Sequence, residues 1–198
     1  MVKTTQQATL AGIKVAVLIS DGFEISEFEG PVAALQAAGA TVEVLAQTHS
    51  QVAHGIQAIS HMELRGKTKP QKALIDASPA DYQALLIPGG ALSCDRMRQS
   101  RLHLAFVQNF IDAHKPLAVI CHGGWLLADA GVLRGRTLTS WPAIRKDLER
   151  AGAVWKDEAV VRDQNLITSR GPDDLPAFTQ AFIEELEKTK HPGGEAAA

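Results

Sequence analysis

The chain has 198 residues, 45% of them hydrophobic and 21% charged, so it can bury a core and is too apolar to be disordered. A net charge of −2 with 5% aromatic residues leaves no basic stripe for nucleic acid. Apolar runs are strand-sized, well short of a membrane span, and no leader segment opens the chain, so a cytoplasmic protein with no membrane contact is expected.

Met1–Leu10 is polar and reads as a loose arm. Ile13–Ile19 is a continuous apolar run, a first buried strand. Asp21–Gly30 reads as a loop, and Pro31–Ala38 as a helix stopped by Gly39. Thr41–Ala46 is a second strand. Gln47–Arg65 is short and β-like, with Gly55 and Gly66 as turn signals, which predicts a hairpin excursion. After the loop at Asp76–Pro79, Ala84–Ile87 is a buried strand closed by Pro88-Gly89-Gly90. Leu102, Ala105, Phe106 and Phe110 share one face of an amphipathic helix over Leu102–Ala113. Leu117–Ile120 is a fourth buried strand, running through Cys121-His122-Gly123-Gly124 into an apolar helix. Short strands follow at Arg136–Ser140, Ala153–Trp155, Val160–Arg162 and Leu166–Ser169, with a helix from Trp141-Pro142 to Arg150 and a last helix over Asp173–Lys188. One domain is expected over residues 11–190, with flexible termini at 1–10 and 191–198.

Alternating strands and helices predict an α/β fold with a mostly parallel sheet covered on both faces. Ligands in such sheets bind beyond the carboxyl ends of the strands, where the strand order reverses. Three strand-ending loops would meet there: Asp21–Gly30, Pro88-Gly89-Gly90 and the turn at Cys121.

A cysteine on a tight turn between a buried strand and a helix has the logic of a nucleophile elbow with Cys in place of Ser. The helix N-terminus behind it is expected to lower the thiol pKa. The other reading of Cys121 is a small buried core residue. Glu24 and Glu27 are three apart and would share a face, where one carboxyl could tune the thiol; plain helix-dipole complementation is the alternative. Backbone N–H groups at Gly89 and Gly90 could hold an oxyanion, or the glycines could mark only a turn. Cys94 and Cys121 are expected as reduced thiols. His49, His54, His61, His103 and His114 lack metal-ligand spacing and read as surface residues, so neither metal nor cofactor is expected.

Asp21-Gly22-Phe23-Glu24 with Glu27, then Leu86-Ile87-Pro88-Gly89-Gly90, then Ala118-Val119-Ile120-Cys121-His122-Gly123 resemble the ThiJ/PfpI superfamily. The runs Gly131–Arg136 and Thr168–Pro176 resemble its PfpI branch, that of intracellular protease I and general stress proteins. The likeness extends from about Ile13 to Leu186. It implies a flavodoxin-like three-layer sandwich with a class I glutamine amidotransferase-like core. It also implies that Cys121 is the reactive thiol, that Glu27 hydrogen-bonds it, that Glu24 is a second pocket acid, and that His122 is the histidine of peptidase-type members. The backbone at Gly89, Gly90 and His122 would form the oxyanion hole. Such proteins act as cysteine peptidases, glyoxalases, deglycases, chaperones or redox sensors, often as homodimers or larger homo-oligomers. The resemblance thus implies a stress protein acting on small carbonyl compounds or glycated protein, with peptide hydrolysis or redox sensing as alternatives.

Two departures bear on this. Peptidase-type members place an acid shortly after the Pro-Gly-Gly turn, reaching a neighbouring subunit's Cys-His pair. Here Cys94 aligns with it directly, and Asp95 does so with one inserted residue. Gly124-Trp125 replaces the usual Pro and Gln, so that Trp125 either reshapes the pocket wall or packs in the core. A glutamine amidotransferase would want a late His-x-Glu pair, whereas the late His191 is followed by Pro192-Gly193.

Overall fold

The computed structural model describes residues 9–190. In chain order the elements are β1 (Lys14–Leu18), β2 (Phe23–Glu24), α1 (Ile25–Ala37), β3 (Thr41–Ala46), α2 (His49–His54), β4 (Ile56–Ser60), β5 (Glu63–Thr68), β6 (Lys72–Ala73) and β7 (Ala84–Ile87). They continue with α3 (Ala91–Arg98), α4 (Arg101–Asp112), β8 (Leu117–Ile120), α5 (Gly124–Asp129), β9 (Thr137–Leu138), α6 (Arg145–Arg150), β10 (Val154–Trp155), β11 (Val160–Asp163), β12 (Leu166–Ser169) and α7 (Leu175–Lys190).

A seven-stranded sheet in the order β11-β12-β8-β7-β1-β3-β6 is parallel except for β11, which runs antiparallel to β12. The period-2 alternation of a strand divides its side chains between two cores. In β1, Val15 and Val17 join Leu35, Phe178 and Phe182 under α1 and α7, while Ala16 and Leu18 join Phe106, Phe110 and Leu126 under α4 and α5. Helices on both faces explain why β7 and β8 are apolar throughout and why β1 and β12 are buried at every residue but Lys14, with Thr168 and Ser169 as the polar exceptions in β12. The result is a three-layer α/β arrangement. A smaller sheet, β2-β4-β5, stands beside it; Phe23 pairs with Ala58 and Glu24 with Ile59.

Several expectations are corrected. The helix read from Pro31 starts at Ile25 and runs through the proline. Its first turns are anchored by Phe28 in the core and by Glu27 on the next loop, tertiary contacts that outweigh the lost amide. Two helices went unread. α2 is announced by a capping box, Thr48 with Gln51, and α3 buries only Ser93, Cys94 and Met97. The hairpin reverses at His61-Met62, with His61 at φ 57°, and Gly66 lies within β5. Leu10, placed in the loose arm, is fully buried, its amide bonding Ala38 O at 2.8 Å. The rest of that arm, apart from Thr9, and the tail from His191 lie outside the described residues.

His103, read as a surface residue, is buried on α4, and neither ring nitrogen finds a partner. Burial lowers its pKa from 6.5 to about 4. The unfolded chain therefore binds its proton more readily, and stability falls as pH drops from 6.5 towards 4. Replacing His103 by Leu, of similar volume, is expected to stabilise the fold by about 1 kcal/mol at pH 7 and by more at pH 5. Urea midpoints at the two pH values check this; a gap that narrows at pH 5 overturns it.

Candidate active site

β1 has β3 on one side and β7 on the other, so the strand order reverses between β1 and β7. The loops leaving β1, β7 and β8 meet at this crevice, as expected. Glu24, Glu27, Gly90, Cys121 and His122 line one cavity of about 590 Å3.

Cys121 directly follows β8 and has φ 59°, in the left-handed region that residues with a Cβ rarely adopt. A short 3-10 turn, Cys121–Gly123, leads into α5. This is an elbow in geometry, with 7% of the cysteine exposed to the cavity. Gly89 permits the approach opposite: a side chain there would overlap the Glu27 carboxylate and lie 2.6 Å from Cys121 Cβ. Gly90, at φ 97°, packs against the backbone of Phe23 and Glu24.

Glu27 lies in the first turn of α1, fully buried. Its Oε2 accepts the Gly89 amide at 2.8 Å. Oε1 has no well-aligned partner, and the Cys121 thiol is the group near enough to share its proton. Burial raises the Glu27 pKa from 4.5 to about 7, against the opposing pull of the Gly89 amide and the thiol. Burial also pushes the Cys121 thiol up, and the charge of an ionised Glu27 pushes it further. The expectation of a lowered thiol pKa is therefore corrected: α5 is one short helix set back by the 3-10 turn, and its dipole does not offset burial and a neighbouring carboxylate. The two groups titrate as a pair that favours holding one proton between them.

Glu24 is built differently. Its carboxylate accepts Ser26 Oγ at 3.1 Å and the His61 amide at 2.7 Å, which ties the β4–β5 turn to the cavity wall. The Gly89 amide is engaged by Glu27 and the His122 amide faces the Cys121 sulfur, so of the expected oxyanion donors the Gly90 amide remains free. His122 Nδ1 lies 3.2 Å from Cys121 Sγ. Its ring is held edge-on to Trp125 at 5.1 Å and stacked with Trp141 at 6.2 Å. Burial lowers its pKa, favouring the neutral, proton-accepting ring. Of its two suggested roles Trp125 takes the second: it packs from α5 on the core and is not part of the cavity lining, while its ring braces His122 and its Nε1 bonds Asp147 at 3.0 Å. Asp95 is exposed on α3, bonded to Gln99, and is not brought to the cavity; Cys94 is buried as a free thiol.

The sequence reading missed the far wall of the cavity. Ile59, Met62 and Leu64 come from the hairpin, with Leu92, Trp141 and Pro172 completing it. Met62 and Leu64, two apart and both apolar in an otherwise polar run, were the available signal. Among the described residues no cluster of three or more His, Cys, Asp or Glu could hold a metal, and no helix is long and apolar enough to cross a membrane.

Residues 13–185 match the sequence profile of the DJ-1/PfpI family. The chain belongs to this family. A relative from Bacillus subtilis (strain 168), named putative cysteine protease YraA, is 40% identical over 88% of this chain and 98% of its own. A second, protein/nucleic acid deglycase 2 of Escherichia coli (strain K12), is 39% identical over 87% and 97%. Among solved structures, a protein from Anabaena variabilis with DJ-1/ThiJ/PfpI-like and ferritin-like domains aligns at a TM-score of 0.81 and 37% identity. This chain, 88% covered, spans about half (48%) of that two-domain protein. Schizosaccharomyces pombe DJ-1, at 21% identity and a TM-score of 0.75 over 93% of this chain and 100% of its own, shares the fold.

The pairing of Glu27 with the thiol has a direct consequence. At pH 8, Glu27→Gln removes the charge that opposes the thiolate, so iodoacetamide should label Cys121 faster, by on the order of tenfold for each unit the thiol pKa falls. Glu24→Gln, whose carboxylate is engaged elsewhere, should change the rate less. Equal labelling rates in the two variants, followed by mass spectrometry, remove the pairing.

Proposed function

We propose that this chain is a cysteine-dependent hydrolase or lyase of the stress response, acting in the cytoplasm on reactive carbonyl compounds or on their adducts with protein. One observation carries the reading: a buried carboxyl with a pKa near 7 stands beside a thiol on a strained elbow. Such a pair can exchange a proton at neutral pH. The relatives' names, a putative cysteine protease and a deglycase, support cysteine chemistry and leave the substrate open.

Transfer of the thiol proton to Glu27 creates the thiolate and a neutral carboxyl together. The thiolate attacks the aldehyde carbon of a 2-oxoaldehyde; the C–S bond forms as the carbonyl π pair moves onto oxygen. The backbone N–H of Gly90 holds that oxyanion, and Glu27 or His122 protonates it to a hemithioacetal. The conjugate base removes the proton on the former aldehyde carbon and returns one to the adjacent carbon, leaving the thioester of a 2-hydroxy acid. Water cleaves the thioester, releasing the acid and restoring the thiol. A hemiaminal adduct enters the same path when the thiol displaces its free amine.

The distance of 3.2 Å from Cys121 Sγ to His122 Nδ1 favours a second reading, peptide hydrolysis. It needs an acid to orient the histidine. Asp95, exposed on α3, would have to be delivered by another copy in a homodimer or larger assembly.

Turnover of methylglyoxal over many cycles tests the first reading. Cys121→Ala should lose it by at least about a thousandfold while keeping the wild-type circular dichroism spectrum. Full turnover in that variant refutes the nucleophile assignment. No turnover in the wild type, with one-for-one oxidation of Cys121 by low peroxide, would make the chain a redox-sensing stress protein instead.

A further inference from the structure

Six large hydrophobic residues are exposed among the described residues, namely Met62, Leu64, Ile75, Leu92, Trp141 and Val154. Four of them, Met62, Leu64, Leu92 and Trp141, border the cavity above Cys121. Met62 is 94% exposed and Leu64 75%, a large apolar area to leave in water. Apolar side chains gathered at the mouth of a cavity mark a place that an apolar group occupies.

These side chains are held in position. β4 is paired to β2, with Ile59 opposite Glu24, and the Glu24 carboxylate grips the amide of His61 at the turn that presents Met62 and Leu64. The amide of Trp141 bonds the carbonyl of Cys121 at 3.3 Å. Its indole packs over Gly171, where a Cβ would lie 3.4 Å away. The wall is thus tied at two places to the floor that carries the nucleophile.

Most polar groups of the cavity belong to that floor and are engaged; the exposed His61 ring, at the turn beside Met62, is the exception on the wall. Glu24 is used by Ser26 and His61, and Glu27 by Gly89 and the thiol. The His122 ring and the Gly90 amide remain, beside the reacting carbon. A chain of hydroxyls rising from the carbonyl towards Leu64 and Trp141 would exchange water for side chains that match few of its donors and acceptors. A hydrocarbon substituent in the same place would bury apolar area on both sides. At about 590 Å3 the cavity lies in the range of pockets for drug-sized ligands and is far larger than a three-carbon aldehyde needs.

We infer that Cys121 takes carbonyl compounds bearing an aryl or branched alkyl substituent in preference to methyl or polyhydroxylated ones, and that Met62, Leu64, Leu92 and Trp141 make this selection. The inference rests on the proposed carbonyl chemistry for its reaction, and on the cavity alone for its binding preference.

Two paired measurements separate the parts. The first compares alkylation of Cys121 by iodoacetamide and by its N-phenyl analogue, each rate divided by that of glutathione with the same reagent. The reacting group is the same, so the ratio reads the cavity without any turnover. The wild type should favour the phenyl reagent about tenfold or more, and the double variant Met62→Ser/Leu64→Ser should bring the ratio down towards one. No preference in the wild type, or a preference untouched in the variant, overturns the inference. The second compares kcat/KM for phenylglyoxal, methylglyoxal and glyceraldehyde, with Cys121→Ala as the background for reaction at arginines. Phenylglyoxal should lead by about tenfold or more, and a lead for glyceraldehyde overturns the selection. If no aldehyde is turned over while the alkylation preference holds, the proposed reaction fails and the apolar selection stands.

Discussion

Glu27 is shut off from bulk solvent and has one backbone amide, that of Gly89, to support a charge. Beside it stands the Cys121 thiol, which would itself be charged when reactive. Two negative charges so close in a buried site are strongly unfavourable, so ionisation of either group suppresses that of the other. Most of the local structure follows from this restriction. Gly89 has to lack a side chain, because one would occupy the space of both groups. Cys121 has to leave its strand in the left-handed region, since an ordinary turn would aim the thiol elsewhere. The proton that the pair holds is then available, near neutral pH, to whatever binds above it.

Strand order makes the meeting possible. β1 and β7 are neighbours whose connections leave in opposite directions, and β8 lies next to β7. A loop from each therefore opens into a single crevice with no helix crossing it. The register is tight, with Val17 opposite Leu86 and Ile87 opposite Val119, so the three strands end nearly level. Apolar residues on both faces keep these strands from sliding or tilting, and that rigidity is transmitted to side chains at their ends. The hairpin sheet is backed on one strand only, Ile56 and Ala58 of β4 lying in the core while β5 is exposed. It is joined to the site through β2 and the Glu24–His61 bond, which leaves it the part of the cavity freest to vary in shape.

The central strands were legible in the sequence because parallel strands covered on both faces are largely apolar, and Thr41–Ala46, read from its alternation, and Leu166–Ser169 agree residue for residue with β3 and β12. The elbow was legible as a strand, a cysteine and two glycines, but those residues alone left a buried core cysteine as an equal reading. Short amphipathic pieces were not. α3 shows a core only three buried residues, and α2 shows it none, so neither writes a helical period into the chain. The far wall was hidden for another reason: Met62, Leu64 and Trp141 come from segments distant in sequence, and only the β2–β4 pairing and the Trp141–Cys121 backbone bond bring them over the thiol. The direction of the thiol pKa was misread because the dipole of α5 is visible in sequence, whereas burial and the closeness of Glu27 are tertiary facts.

Function and stability meet at the same carboxyl. The folded chain raises Glu27 from 4.5 to about 7, so between those values the native state holds a proton that the unfolded chain has lost. Its contribution to stability is fully present below pH 4.5 and is gone once pH has risen through 7. His103 acts in the opposite sense: its pKa is depressed from 6.5 to about 4, so its contribution is present above 6.5 and lost as pH falls. Between 4.5 and 6.5 the two slopes oppose each other, the lowered pKa of His122 acting in the same sense as that of His103. The thiol–carboxyl pair exchanges its proton where the stabilising effect of the Glu27 proton is being lost. The buried acid is therefore least favourable to the fold where it is most useful to the chemistry, a placement that a site shaped by packing alone would not produce.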